Sequence, residues 1–97
     1  MREKIKNYLH IEVTGLDLTE VTDLEFYVRQ GAQFWQYKPT VVSGTEMTVS
    51  IPFEDAMLLR KGFAQLQFAF KRNGVPDASE IDTVPVGVLL KEAGYNP

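Results

Sequence analysis

Apolar and polar residues alternate with a period of two in four separate runs. A chain patterned this way buries its apolar side by forming sheets. Leu9, Ile11 and Val13 alternate with His10 and Glu12, and Leu24, Phe26 and Val28 with Glu25, Tyr27 and Arg29. Met47, Val49 and Ile51 alternate with Glu46, Thr48 and Ser50, and Leu66, Phe68 and Phe70 with Gln65, Gln67 and Lys71. Between the runs stand turn formers: Gly15, Gly31, Gly44, Gly62 and Asn73-Gly74. Short strands at this spacing predict an all-β sandwich or barrel of about seven strands. A length of 97 residues fits one domain over 1–97. The expected core is Leu24, Phe26, Val28, Trp35, Tyr37, Met47, Val49, Ile51, Leu66, Phe68 and Phe70.

Gly31-Ala32 predicts a two-residue type II′ hairpin. Gln30 then faces Gln33, Val28 faces Trp35 and Phe26 faces Tyr37 on the apolar side. On the polar side Glu25 faces Lys38, Tyr27 faces Gln36 and Arg29 faces Phe34. Apolar pairs and opposite charges both meet, which a one-residue slip would undo. Because neighbours on a strand point to opposite faces, Trp35 goes inward and Phe34 outward, beside Tyr27 and Arg29. Phe34 is then either covered by the N-terminal segment or a loop, or part of a small contact patch formed with Tyr27 and Arg29.

A second hairpin is expected around a four-residue loop, Asn73 to Pro76, with Arg72 facing Asp77 and Phe68 facing Ile81. Burying both Ile81 and Val84, three residues apart, requires a β-bulge near Asp82–Thr83, and Val86 then also points inward on the strand. Pro85 cannot donate to a ladder and belongs at an edge or bulge. One short helical turn is expected between Pro52 and Gly62, with Glu54 and Asp55 early, Arg60 and Lys61 late and Gly62 at the end.

Composition removes several classes of function. The 10 basic and 13 acidic residues leave a net charge of −3, without the basic excess that phosphate-driven nucleic-acid binding needs. No run approaches the ~20 apolar residues of a membrane-spanning helix. Cysteine is absent, which excludes disulfides, thiolate metal sites and thiol nucleophiles. The basic start, Arg2, Lys4 and Lys6, precedes a segment broken by His10, Glu12, Thr14 and Asp17, so it does not read as a signal peptide. The protein is expected to stay in the cytoplasm or to leave the cell by lysis.

Chemistry-bearing residues are few. His10 is the one candidate catalytic histidine, and Ser43, Ser50 and Ser79 lie in no nucleophile elbow. Glu54 and Asp55 are adjacent and diverge on a helical turn. Glu80 and Asp82 share a strand face, with Glu12 nearby at most, and would be the carboxylate pair of a hydrolase if a cleft existed. Asp17, Thr19, Glu20 and Asp23 could supply oxygens to Ca²⁺ or form a plain acidic turn. No cofactor and no resident metal are expected.

Three stretches carry a family resemblance. They are Leu24-Glu25-Phe26-Tyr27-Val28-Arg29-Gln30-Gly31, then Met47-Thr48-Val49-Ser50-Ile51 followed by the acidic turn Glu54-Asp55, then the ending. The ending comprises Gly62-Phe63-Ala64-Gln65-Leu66-Gln67-Phe68, Asn73-Gly74, Ala78-Ser79-Glu80-Ile81 and Val86-Gly87-Val88-Leu89-Leu90-Lys91-Glu92. From about Leu9 to Glu92 the chain resembles the small immunoglobulin-like β-sandwich proteins encoded among structural genes of phages and prophages of Gram-positive bacteria. The resemblance implies an antiparallel immunoglobulin-like sandwich without enzymatic activity. It implies docking to other virion proteins or to itself in a tail, baseplate or capsid-associated position. It further implies residence in the virion, or in the bacterial cytoplasm during assembly. A carbohydrate-binding or adhesion module, with Tyr27 and Phe34 as a sugar platform, is the competing expectation.

Overall fold

The computed structural model describes residues 8–95; the basic start at Arg2, Lys4 and Lys6 lies outside the described residues. Strand β1 covers Tyr8–Glu12, β2 Thr22–Gln30, β3 Gln33–Tyr37 and β4 Thr40–Val41. Strand β5 covers Glu46–Ser50, β6 Phe63–Arg72, β7 Val75–Ala78 and β8 Asp82–Pro85. Helix α1 is Phe53–Ala56 and α2 is Val86–Glu92. All strand pairs are antiparallel. One sheet runs β1-β5-β4. The other runs β3-β2-β6, and β7 and β8 both pair with the far side of β6, as two stretches of one edge. None of the described helices is long and apolar enough to cross a membrane.

The two sheets share their apolar faces. Leu9 of β1, Phe26 and Val28 of β2, Val49 of β5 and Ala64 of β6 are buried in one cluster, with Ile51 and Ala56. A second cluster gathers Val13, Leu18, Leu24, Met47 and Phe70. Of the expected core, Leu24, Phe26, Val28, Met47, Val49, Ile51 and Phe70 are buried, while Trp35, Tyr37, Leu66 and Phe68 are half-buried. The last four pack against the first buried cluster without being enclosed by it.

The first hairpin has the expected register, from Gln30 opposite Gln33 to Phe26 opposite Tyr37. Gly31 has φ +59 and Ala32 is not among the positive-φ residues, which fits the type II′ turn. Lys38 Nζ lies 3.4 Å from Glu25 Oε2.

The second hairpin corrects the expectation. Its turn is two residues, Asn73 (φ 53) and Gly74 (φ 79), so Arg72 faces Val75 and Phe70 faces Asp77. Positive φ at both central residues is the type I′ geometry that Asn-Gly favours. The extra residue of the edge falls upstream of Asp82–Thr83: the pairing shifts by one between Ala78 opposite Ala69 and Asp82 opposite Leu66. Ser79 anchors this bulge, its N–H donating to Phe68 O (2.8 Å) and its Oγ accepting from Phe68 N (3.0 Å). Val84 is half-buried and Val86 buried as expected, but Ile81 points out and is exposed.

Helix α1 forms where the helical turn was expected. Helix α2 was not expected; Val86 opens a helix instead of extending a strand. Val86, Leu89 and Ala93 recur at helical spacing and are buried. The helix ends in a Schellman motif, with Gly94 at φ +96, Tyr95 N–H donating to Leu90 O (2.8 Å) and Gly94 N–H to Lys91 O (3.1 Å). It packs against β1 and β8, closing one end of the seam between the two sheets.

Candidate interaction surface

Pairing of β3, β2 and β6 sets the outer face of the larger sheet residue by residue. Tyr27 stands between Gln36 and Gln67, and Arg29 between Phe34 and Gln65. The Tyr27 and Phe34 rings stack with centroids 5.4 Å apart and planes 25° apart. Arg29 places its guanidinium carbon 5.8 Å from the Phe34 centroid. These two β2 side chains thus flank the ring, and Phe34 still leaves 52% of its surface exposed. No described loop covers it. Beside the aromatic pair lies a groove of about 240 Å³, lined by Tyr27, Arg29, Phe34, Gln65, Gln67 and Ile81, with Leu66 at its floor. The structure therefore brings together Tyr27, Arg29 and Phe34, as their register required.

Ile81, Gln65 and Gln67 were missed as members of this surface. The glutamines were legible as the polar side of β6, but their place beside Tyr27 depends on the β2–β6 register. Ile81 reaches the outer face because the bulge releases it. Towards β3, Gln36 donates to Glu25 Oε1 (2.6 Å), and this bond, with the Lys38 ammonium, holds the Glu25 carboxyl below its ordinary range.

The acidic candidates separate. Glu12, Asp77, Glu80 and Asp82 line a second groove of about 440 Å³ in the open end of the seam, over Phe68 and Phe70. Here is the cleft that sequence could not supply, but Arg72 lies in it too. Glu54 is exposed, whereas Asp55 accepts a hydrogen bond from the Tyr37 hydroxyl (2.8 Å). Burial and that carboxylate push the Tyr37 phenol well above its ordinary range. Burial also raises Tyr95, whose hydroxyl donates to Ile51 O.

The expected Ca²⁺ loop is put to another use. Asp17 Oδ1 accepts from Thr19 N (3.0 Å) and from the Thr19 hydroxyl (2.7 Å), which holds its carboxyl below the ordinary range and caps the 3-10 turn Leu18–Glu20. Asp23 pairs with Lys71 at 3.5 Å. Among the described residues no three acidic or histidine side chains converge as metal ligands. His10 is exposed on β1. Ser79 Oγ donates to Glu80 O (3.0 Å) and so serves the bulge. Further exposed apolar side chains include Phe53 at the start of α1 and Met57 and Leu58 after it.

Compared with protein-family models, with curated proteins and with solved structures, the chain matches none.

Proposed function

We propose that this chain is a non-enzymatic docking module of a phage or prophage particle, built as an immunoglobulin-like sandwich and held in a tail, baseplate or capsid-associated position. One observation carries the docking part: Tyr27, Arg29 and Phe34 stand together, exposed, on a sheet face that no described element covers. Aromatic and arginine side chains supply much of the energy of protein interfaces, and a preformed stack loses little entropy on binding. The particle part rests on the resemblance of the strand and turn segments quoted above, and partners would be other virion proteins or a second copy.

The test is capture of purified tail, baseplate and capsid components of the encoding phage on immobilised protein. Phe34→Glu should lose the captured component while its thermal midpoint stays within a few degrees of wild type, because the residue is exposed. Equal capture by both proteins would remove the patch from the interface. Genes for tail and capsid proteins beside the coding sequence would support the particle reading.

A carbohydrate reading draws on the Gln65 and Gln67 amides next to the Tyr27 ring, since sugars use amide hydrogen bonds over an aromatic platform. Against it, Phe34 is already flanked by Tyr27 and Arg29. A glycan array separates the two readings, because the docking module should retain no sugar.

A further inference from the structure

We infer that β3 is a self-pairing edge, joining a second copy of this chain in an antiparallel strand pair about a two-fold axis at Trp35. The inference deepens the docking reading by naming a partner. The parity of the first hairpin decides which backbone groups of β3 face outward. In a two-residue hairpin the pair next to the turn, Gln30 and Gln33, exchanges hydrogen bonds, and the pattern alternates from there. Val28–Trp35 and Phe26–Tyr37 are then bonded pairs. Phe34 and Gln36 therefore aim their backbone N–H and C=O groups away from β2, and among the described residues no strand pairs with β3 on that side.

The opposite edge of the same sheet is treated differently. Val86 N–H donates to Gly62 O (2.8 Å), which makes Val84–Ala64 and Asp82–Leu66 bonded pairs and turns Thr83 and Pro85 outward. By the same alternation, Pro76 and Ala78 face outward on β7. Both prolines thus stand at outward positions, where they offer no N–H. The outward N–H of Ala78 is taken by Asp77 Oδ1 (2.8 Å), and the bulge at 79–81 breaks the edge in two. These are the devices that keep a strand edge from pairing. In the other sheet, β4 has two residues and α2 packs against β1. Strand β3 has five residues, no proline and no bulge.

A strand edge accepts a strand, and β3 fits its own copy. Centring the axis on Trp35 gives every residue of Gln33–Tyr37 a partner. Phe34 faces Gln36 of the second copy at both ends of the axis, and Lys38 faces Ala32. No like charges meet, and the free backbone groups of Phe34 and Gln36 are all used.

Sedimentation equilibrium on the wild type and two double variants tests this. The wild type should be a dimer at high micromolar concentration. Phe34→Glu with Gln36→Glu sets like charges opposite each other twice and should weaken the dimer by about tenfold or more. Phe34→Glu with Gln36→Lys sets opposite charges there, with Arg29 and Glu25 as compatible neighbours in the same chain, and should restore it. A monomeric wild type overturns the inference without touching the docking reading, which is scored separately by capture of virion components. A dimer to which both double variants are indifferent places the contact elsewhere and equally overturns it. Gln36→Pro, which removes one outward N–H and no internal bond of the ladder, should also yield a monomer, and a dimeric Gln36→Pro protein would count against the edge.

Discussion

Asp23 shows how a single backbone angle can outweigh an ion pair. It holds φ 54, in the left-handed region that costs most residues about 1–2 kcal/mol, at the register shift of β2 between Thr22 and Glu25. Its pairing with Lys71 joins two largely exposed groups and contributes about 0–1 kcal/mol. Asp23→Gly should therefore leave stability unchanged or raise it slightly, while Asp23→Val should lower it. Urea titration of both variants measures the difference, and a clear loss for glycine would show that the ion pair matters more than the angle. The sequence hid this position, because Asp23 reads as one more acid in an acidic loop. Its bulge follows only from the pairing of β2 with β6. Phe34 was easier to place: its neighbour Trp35 had to face the core, so Phe34 had to face out.

Elements that combine short-range pattern with turn chemistry were readable. The first hairpin was legible because both faces and the Gly31 turn agreed on one register. In the second hairpin the Arg72–Asp77 charge pair favoured a longer loop, yet the φ preference of Asn73-Gly74 decided the turn; exposed charge pairs are weaker than backbone geometry. Helix α2 escaped because its apolar repeat spans only two turns and follows a proline already assigned to a strand. Its contribution is measurable. Leu89 is 2% exposed, so Leu89→Ala should cost about 2–5 kcal/mol in chemical denaturation. Gly94→Ala should cost about 1 kcal/mol through the left-handed cap. A Leu89→Ala protein as stable as wild type would mean that α2 is not part of the core.

Helix α1 is tied to β3 through Tyr37 and Asp55. Tyr37→Phe should cost about 1–2 kcal/mol at neutral pH by leaving the Asp55 carboxylate short of a donor. The linkage has a definite sign. The folded phenol is raised above its unfolded value of about 10, so the native state holds its proton longer. Stability from this group is complete below pH about 10 and falls as pH rises beyond it. Tyr95 acts in the same direction. Thermal melts across the alkaline range should show a shallower decline for Tyr37→Phe than for wild type, and parallel declines would show that the phenol does not set the slope.

Across the whole molecule, two sheets meet over one apolar interior and leave different borders. On one side α2 fills part of the seam and prolines guard β7 and β8; on the other, β3 presents free backbone next to an exposed aromatic stack. Phe26 lies at the centre of the shared core at 2% exposure, so Phe26→Ala should cost about 3–5 kcal/mol. In the dilute, monomeric protein Trp35→Ala should cost less, because Trp35 is only half-buried there; pairing of β3 with a second copy would cover it further and raise the loss with concentration. The overall layering could be read from alternation alone, whereas the proposed docking surface needed the cross-strand pairing to join Tyr27 and Phe34 with Ile81. Whether this face binds a partner, as proposed, is tested by capturing purified virion components on wild type and on Phe34→Glu at matched thermal stability. A component held by wild type and lost by the variant is the expected result; the same component held equally by both would remove this face from the interface.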